Sequence, residues 1–173
     1  PGLESFTAAD AEFFFGREVE VETVWKKLQH ANLLAIIGPS GAGKTSFLQA
    51  GLLPAKSAGW QHVLLRPGPS PLVALTRALA PELAEDKQAL DQLLQTEDPV
   101  QMLAAIGLRR GKHSQALIVV DQFEELFTLG RPEAQAAFAE LLGRVAAEAD
   151  VHVLLVMRDD FLIRCHEHAR LAP

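Results

Sequence analysis

The apolar residues of this chain follow two patterns that alternate along it. Four short, mainly apolar runs lie at 33–37, 62–65, 116–120 and 151–156, and between them apolar residues recur every three or four positions. Runs of this length predict buried strands, whereas a spacing of three or four predicts helices. Strands that alternate with helices predict parallel β-α-β units, and therefore a three-layer α/β fold with helices on both faces of a parallel sheet.

Proline positions mark several of the expected helix boundaries. The helix after the first run is expected to end at Pro54, and Ser70 followed by Pro71 is typical of a helix start. The length of 173 residues suits one domain with a sizeable core. Within it we expect residues 1–30 to form an N-terminal arm and helices, and residues 31–173 to form the core.

The first apolar run leads directly into a glycine-rich loop. The loop and the residue after it are Gly38, Pro39, Ser40, Gly41, Ala42, Gly43, Lys44, Thr45 and Ser46. A strand, a G-x-x-x-x-G-K-T loop and a helix in this order are typical of a phosphate-binding loop, in which backbone N–H groups converge on one anion. We therefore expect a nucleotide here, with Lys44 on its β- and γ-phosphates and the Thr45 hydroxyl on Mg²⁺.

Charged residues follow the third apolar run. Asp121 comes directly after it, and Glu124 and Glu125 lie just beyond. Because the carboxyl ends of parallel strands meet at one edge of a sheet, Asp121 is expected beside the glycine-rich loop, where a carboxylate can hold Mg²⁺. Glu124 and Glu125 are both candidates to activate a water molecule, with Glu124 slightly favoured. Alternatively, one of the two has no catalytic role and only stabilises the start of a helix, where the helix dipole favours negative charge.

A basic residue, Arg158, leaves the end of the fourth run. At the same edge of the sheet its guanidinium could contact the γ-phosphate as an always-charged donor. The alternative interpretation is an ion pair with Asp159 or Asp160, which follow it directly.

Charge and composition narrow the function classes. A formal net charge of −6 provides no basic face for a nucleic-acid backbone, so nucleic acid is not expected as the main partner. No apolar run approaches the roughly 20 residues that span a bilayer, so no membrane association is expected. The one cysteine, Cys165, cannot form an internal disulfide, and no signal-peptide pattern is present, so a cytoplasmic location is expected.

Four motifs, taken in order, resemble those of the STAND class of P-loop NTPases. The likeness is to NACHT-type modules, and above all to the bacterial novel STAND group that is often joined to WD-repeat or other sensor domains. It covers nearly the whole chain. The motifs are Phe14-Phe15-Gly16-Arg17-Glu18, the loop 38–45, Val119-Val120-Asp121-Gln122-Phe123-Glu124-Glu125-Leu126-Phe127, and Arg158-Asp159-Asp160-Phe161.

The resemblance implies roles for individual residues. Phe15, Gly16 and Arg17 would contact the adenine end of ATP or ADP. Asp121 would be the Walker B carboxylate that holds Mg²⁺, and Arg158 would be the sensor arginine. Glu124 and Glu125 would form the acidic pair after Asp121. Where NACHT modules often have glycine after that aspartate, this chain has Gln122, which leaves the positioning of the acidic pair open.

The resemblance also implies an ASCE-type P-loop fold whose sheet has five strands in the order 5-1-4-3-2. Only four strands are predicted here, so the sequence is expected to be a fragment of a larger protein. The strand at 33–37 would then lie at an edge of the sheet, where unpaired backbone groups favour association.

The function that the resemblance implies is a signalling switch. ATP and ADP would favour different arrangements of attached C-terminal domains, nucleotide-dependent homo-oligomers would form, and slow hydrolysis would reset the module. Two alternatives stay open from the residues alone: an ordinary ATPase of the motor type, and a non-hydrolysing scaffold that keeps ATP for structure.

Overall fold

A computed structural model of the chain describes residues 16–56, 59–84 and 115–171, together with positions 88, 91, 102, 106 and 107. Most of the predicted N-terminal arm, including Phe15, lies outside the described residues. The fold is built around a parallel sheet of four strands. They are β1 (Leu33–Gly38), β2 (Trp60–Leu65), β3 (Gln115–Val120) and β4 (His152–Arg158).

The strands lie in the order β1-β4-β3-β2, and every neighbouring pair is parallel. The order agrees with the one that the family resemblance implies. All four strands extend one or two residues beyond one end of their predicted apolar runs. β2 begins at Trp60 because Trp60 pairs with Gln115, and β4 continues to Arg158 because Arg158 pairs with Gly38. Pairing therefore extends β2 before the start of its predicted run and β4 beyond the end of its predicted run.

Helices connect the strands within the described ranges. They are α1 (Glu18–Leu28), α2 (Lys44–Ser46, continued as a π-helix over Phe47–Leu52), α3 (Pro71–Leu79), α4 (Glu125–Leu129), α5 (Pro132–Glu148) and α6 (Leu162–His166). Helix α3 begins at Pro71 as predicted. Its N-cap residue, Ser70, makes no capping hydrogen bond with its side chain.

The predicted helix–sheet–helix layering is confirmed by the way side chains alternate along β3. Ile118 and Val120 pack on one face with residues of α3 and α5, whereas Leu117 and Val119 pack on the other face with residues of α1 and α2. All four side chains are at most 1% exposed. Because fully burying one such side chain stabilises the fold by about 1.5–3 kcal/mol, β3 anchors both layers.

The helix after β1 does not continue as an α-helix to Pro54. Over Phe47–Leu52 it is a π-helix, in which the Leu53 N–H donates to the Leu48 carbonyl at 3.0 Å. The Leu52 carbonyl accepts a hydrogen bond from the Trp25 indole N–H at 3.1 Å. The widened turn is thereby tied to α1, and such π segments occur frequently near functional sites.

Strand β1 lies at an edge of the sheet among the described residues, since it pairs with β4 alone. Its burial is correspondingly incomplete, and Ile37 keeps 40% of its surface exposed. Within the described part of the chain, no helix is both long and apolar enough to cross a membrane.

Candidate functional site

The loop after β1 has the backbone geometry of an anion cradle. Gly41 and Gly43 take left-handed conformations, with φ of 77° and 73°, and no heavy atom lies within 4 Å of where a Cβ on either would stand. Helix α2 begins directly after Gly43, whose carbonyl accepts from the Phe47 N–H at 2.8 Å. Open space therefore faces the loop and the helix N-terminus, where backbone N–H groups favour negative charge.

The Lys44 side chain lies against this same loop. Its ammonium donates to the carbonyl of Gly38 at 2.7 Å and to that of Pro39 at 2.8 Å. Gly38 is the last residue of β1, so the positive charge is held where the strand passes into the loop. An ammonium at this position can interact with phosphate groups that lie on the loop.

Asp121 lies at the carboxyl end of β3, and its side chain is almost completely buried. Its backbone N–H donates to the Leu65 carbonyl at 2.9 Å, which continues the β2–β3 ladder by one residue. The carboxylate accepts hydrogen bonds from the Thr45 hydroxyl at 3.1 and 3.2 Å, from the Gln122 N–H at 3.0 Å and from Arg66 at 3.4 Å. The buried charge is thus compensated from three sides.

The donor set beside the loop fits a magnesium ion. Mg²⁺ prefers oxygen ligands, and in nucleotide sites it takes one or two from the protein and the rest from phosphates and water. The Thr45 hydroxyl and the Asp121 carboxylate are such ligands, and they lie within hydrogen-bonding distance of each other. Their position next to the glycine-rich loop is the one that a phosphate-bound Mg²⁺ requires.

The two neighbouring glutamates point to different places. The Glu124 carboxylate accepts from the backbone N–H of Arg158 at 3.4 Å and faces the glycine-rich loop. The Glu125 carboxylate accepts from the Gly68 N–H at 3.2 Å and so lies against the loop that follows β2. The structure therefore separates the two candidates, of which the sequence only slightly favoured Glu124.

Arg158 is paired within its own turn. Its guanidinium donates to Asp160 through Nε at 3.0 Å and Nη2 at 2.6 Å, and lies 5.5 Å from the centre of the Phe161 ring. The side chain is 41% exposed. The ion pair considered from the sequence is therefore present with Asp160, while Arg158 also faces the glycine-rich loop.

These groups converge on a cleft of about 260 Å³, here called the phosphate cleft. It lies between the glycine-rich loop and the turn after β3. Its lining residues are Ser40, Gly41, Gly43, Lys44, Thr45, Ser46, Asp121, Gln122, Glu124, Val156 and Arg158. Pro39 and Ala42 belong to the same loop, but neither they nor Glu125 line this cleft.

Gly16 and Arg17, predicted at the adenine end of a nucleotide, do not line the phosphate cleft. Arg17 instead lines a larger cleft of about 720 Å³ between α1 and α2, and its guanidinium lies 5.8 Å from the centre of the Phe47 ring. The Gly16 N–H donates to the Glu18 carboxylate at 3.0 Å. Together with the N–H of Glu18 itself, this contact lowers the pKa of Glu18.

Three residues of the site were not predicted. Arg66 reaches the Asp121 carboxylate, and Gln122 and Val156 line the phosphate cleft. Arg66 follows β2, the direct neighbour of β3 in the sheet, so its proximity to Asp121 follows from the strand order. Gln122 was noticed only as a departure from the family pattern. Its backbone conformation, with φ of 52°, is not readable from its residue type.

The helix that follows Arg158 is anchored behind the site. Cys165 of α6 is 2% exposed and its Sγ lies 3.5 Å from the Met157 Sδ of β4. Burial raises the pKa of the Cys165 thiol to about 11. Because the thiolate is the reactive form, this cysteine has the environment of a packing residue and not of a nucleophile.

A parallel sheet, a glycine-rich loop between β1 and α2, and an aspartate at the end of β3 define the class of P-loop NTPases. The chain belongs to the Novel STAND NTPase 1 family, whose model matches residues 1–173. No curated protein matches the sequence significantly.

Two solved structures match the chain at low sequence identity. A Walker-type ATPase of Pyrococcus abyssi matches with a TM-score of 0.67 and 14% identity, over 90% of this chain and 48% of its own. A DNA replication initiation factor matches with a TM-score of 0.46 and 17% identity, over 88% of this chain and 41% of its own. The chain thus spans less than half the length of either protein, and the first of them supports the fold alone.

Proposed function

We propose that the chain is the Mg-ATP-binding and hydrolysing module of a signalling switch. The observation that carries this proposal is the contact between the Thr45 hydroxyl and the buried Asp121 carboxylate, at 3.1 Å, beside the open glycine-rich loop. It joins a phosphate-binding element and a metal-binding element in one cleft, which is the arrangement that nucleotide hydrolysis needs. Membership of a family of STAND NTPases supports the same function.

In this proposal the loop 38–46 and Lys44 bind the phosphates. Thr45 and Asp121 hold Mg²⁺, which neutralises negative charge on the phosphates when it is bound. Arg66 donates to one oxygen of Asp121 and the Gln122 N–H donates to the other, so these contacts orient the carboxylate.

Glu124 is the proposed general base. Its Oε2 is occupied by the Arg158 N–H, which orients the carboxylate and leaves Oε1 to accept a proton from water. Glu125 is assigned a structural role, because its carboxylate ties α4 to Gly68 in the loop after β2. Arg158 is the proposed contact to the γ-phosphate, for which it must exchange Asp160 for a phosphate oxygen.

The adenine is assigned to the residues before α1, that is Phe15, Gly16 and Arg17. Support comes from the contact of Arg17 with Phe47, which lies three residues beyond Lys44 in α2. The partners that we propose for the switch are C-terminal domains of the same protein and further copies of it, in the cytoplasm. ATP and ADP can shift such an assembly only by their difference in affinity for its states.

Single-turnover hydrolysis of Mg·ATP by the full-length protein tests this function. Glu124→Gln is expected to lower the rate constant by about 100-fold or more, because a general base contributes that much. It should leave the dissociation constant for ATP unchanged. Glu125→Gln is the matched control one residue away, and it should lower the rate constant far less.

Each alternative function has its own outcome in this experiment. Equal losses in the two variants would contradict the assignment of the base to Glu124. ATP that is bound and never hydrolysed in any state would favour a scaffold. Fast steady turnover in the absence of any trigger would contradict the switch and favour a motor-type ATPase.

A further inference from the structure

Gln122 has a backbone conformation that its side chain disfavours. Among the described residues, positive φ outside glycine occurs at Gln122, with φ of 52°, and at Asp150, with φ of 50°. Aspartate tolerates the left-handed region because its short side chain can bond locally, whereas glutamine has no such advantage. A glycine at position 122 would take the same conformation without steric strain.

Contacts on either side impose this conformation on Gln122. Its N–H donates to the Asp121 carboxylate at 3.0 Å, and the N–H of the next residue, Phe123, donates to the Val156 carbonyl of β4 at 2.9 Å. Phe123 is completely buried. The turn is therefore held to the sheet by its neighbours, and the Gln122 side chain is not needed to form it.

The side chain lies where a ligand would be. Gln122 lines the phosphate cleft together with Lys44, Glu124 and Arg158. Its carboxamide makes no hydrogen bond to any of the residues that the structure describes. A carboxamide offers both an acceptor and two donors, so its oxygen can accept a hydrogen bond from a water molecule in the cleft.

We propose that Gln122 is a positioning residue that orients the attacking water between Glu124 and the γ-phosphate. This inference rests on the proposed ATPase function and adds a second polar group to it. The side-chain oxygen of the Gln122 carboxamide accepts a hydrogen bond from one O–H of the water, and the other O–H of the water is directed to Glu124. Glutamine performs this task in other P-loop enzymes, where hydrolysis depends on the orientation of one water molecule.

The test is Gln122→Gly, measured in the full-length protein for single-turnover hydrolysis, ATP affinity and resistance to urea. Removal of the carboxamide is expected to slow hydrolysis by about 10- to 100-fold, because the water loses its orientation. The ATP dissociation constant should not change, and resistance to urea should not fall, since glycine suits the conformation.

Asp150→Gly is the matched control. Asp150 has nearly the same φ, but it precedes the start of β4, whereas Arg158 lies at the end of that strand. A strand of this length spans roughly 20 Å, so Asp150 lies far from the phosphate cleft. Relief of backbone strain there should leave hydrolysis at the wild-type rate.

Three results would count against the inference. Hydrolysis by Gln122→Gly at the wild-type rate would overturn it alone and leave the proposed ATPase function standing. A wild-type protein that binds Mg·ATP and never hydrolyses it would overturn the inference and the proposed function together. Slow hydrolysis with weakened ATP binding and lower resistance to urea would also count against it, since a structural role explains that combination.

Discussion

Two turns at the same edge of the sheet face each other across the phosphate cleft. Both contain left-handed backbone conformations, but they place different residue types there. The loop after β1 needs left-handed conformations at two positions, and both are glycine, Gly41 and Gly43. The turn after β3 needs one at position 122, where this chain has glutamine. Strain is thus avoided in the first turn and accepted in the second.

The difference follows from what each turn presents to the cleft. The first presents backbone N–H groups, and side chains at Gly41 or Gly43 would stand in the open space beside them. The second presents side chains, namely the carboxylates of Asp121 and Glu124 and the carboxamide between them. A strained backbone conformation at a cleft therefore indicates a functional side chain when the strained residue directs its side chain into that cleft.

The largest effect is expected at the first turn, from Lys44→Ala. Removal of the ammonium, which now lies against the carbonyls of Gly38 and Pro39, should weaken ATP binding by about 100-fold or more, since a charged contact to phosphate is lost. Titration calorimetry with Mg·ATP measures this. Unchanged affinity would show that the nucleotide does not bind at this loop, and the comparison between the two turns would then be wrong.

Substitutions in the two turns should change the free energy of unfolding in opposite directions. Gly43→Ala puts a side chain at φ of 73° and should lower the free energy of unfolding by about 1 kcal/mol. Gln122→Gly should raise it by about a few tenths of a kcal/mol, because relief of strain exceeds the added freedom of the unfolded chain. Urea unfolding can be followed through the paired Trp25 and Trp60, whose rings lie 5.2 Å apart.

If both substitutions lowered stability equally, the glutamine side chain would be a structural support. The contrast drawn between the two turns would then be wrong.

The smallest effect is expected from Asp160→Asn, which frees Arg158 to contact the γ-phosphate. An exposed ion pair contributes about 0.2–1 kcal/mol, so the preference for ATP over ADP should rise by no more than about fivefold. Competition binding with the two nucleotides measures the preference. Asp159→Asn is the control, because the Asp159 side chain accepts from the Asp160 N–H and leaves the Arg158 pair intact. An unaltered preference for ATP over ADP would contradict the proposed contact between Arg158 and the γ-phosphate.

The fold could be predicted largely because the four strands are marked by apolar runs and the loop after β1 by its motif. The π-helix could not be predicted from a search for 3.6-residue periodicity. A signal was present nonetheless, since Phe47, Leu48, Leu52 and Leu53 recur at intervals of five, which is the hydrogen-bond spacing of a π-helix.

The site was predicted less completely, and for a physical reason. The sheet order places Asp121 and Arg158 near the loop, because parallel strands end at one edge. The separate directions of Glu124 and Glu125 are given instead by their contacts, with the Arg158 N–H and the Gly68 N–H respectively. Residue type does not reveal those contacts, so the choice between the two glutamates needed the three-dimensional structure.

The central claim, that both turns bind one Mg·ATP, is tested most directly by the anomalous scattering of Mn²⁺. Crystals of the full-length protein would be grown with Mn²⁺ and an ATP analogue that resists hydrolysis. The account predicts an anomalous peak beside the Thr45 hydroxyl and the Asp121 carboxylate, with the phosphates on the loop 38–46. A peak elsewhere, or phosphates in the cleft between α1 and α2, would contradict it.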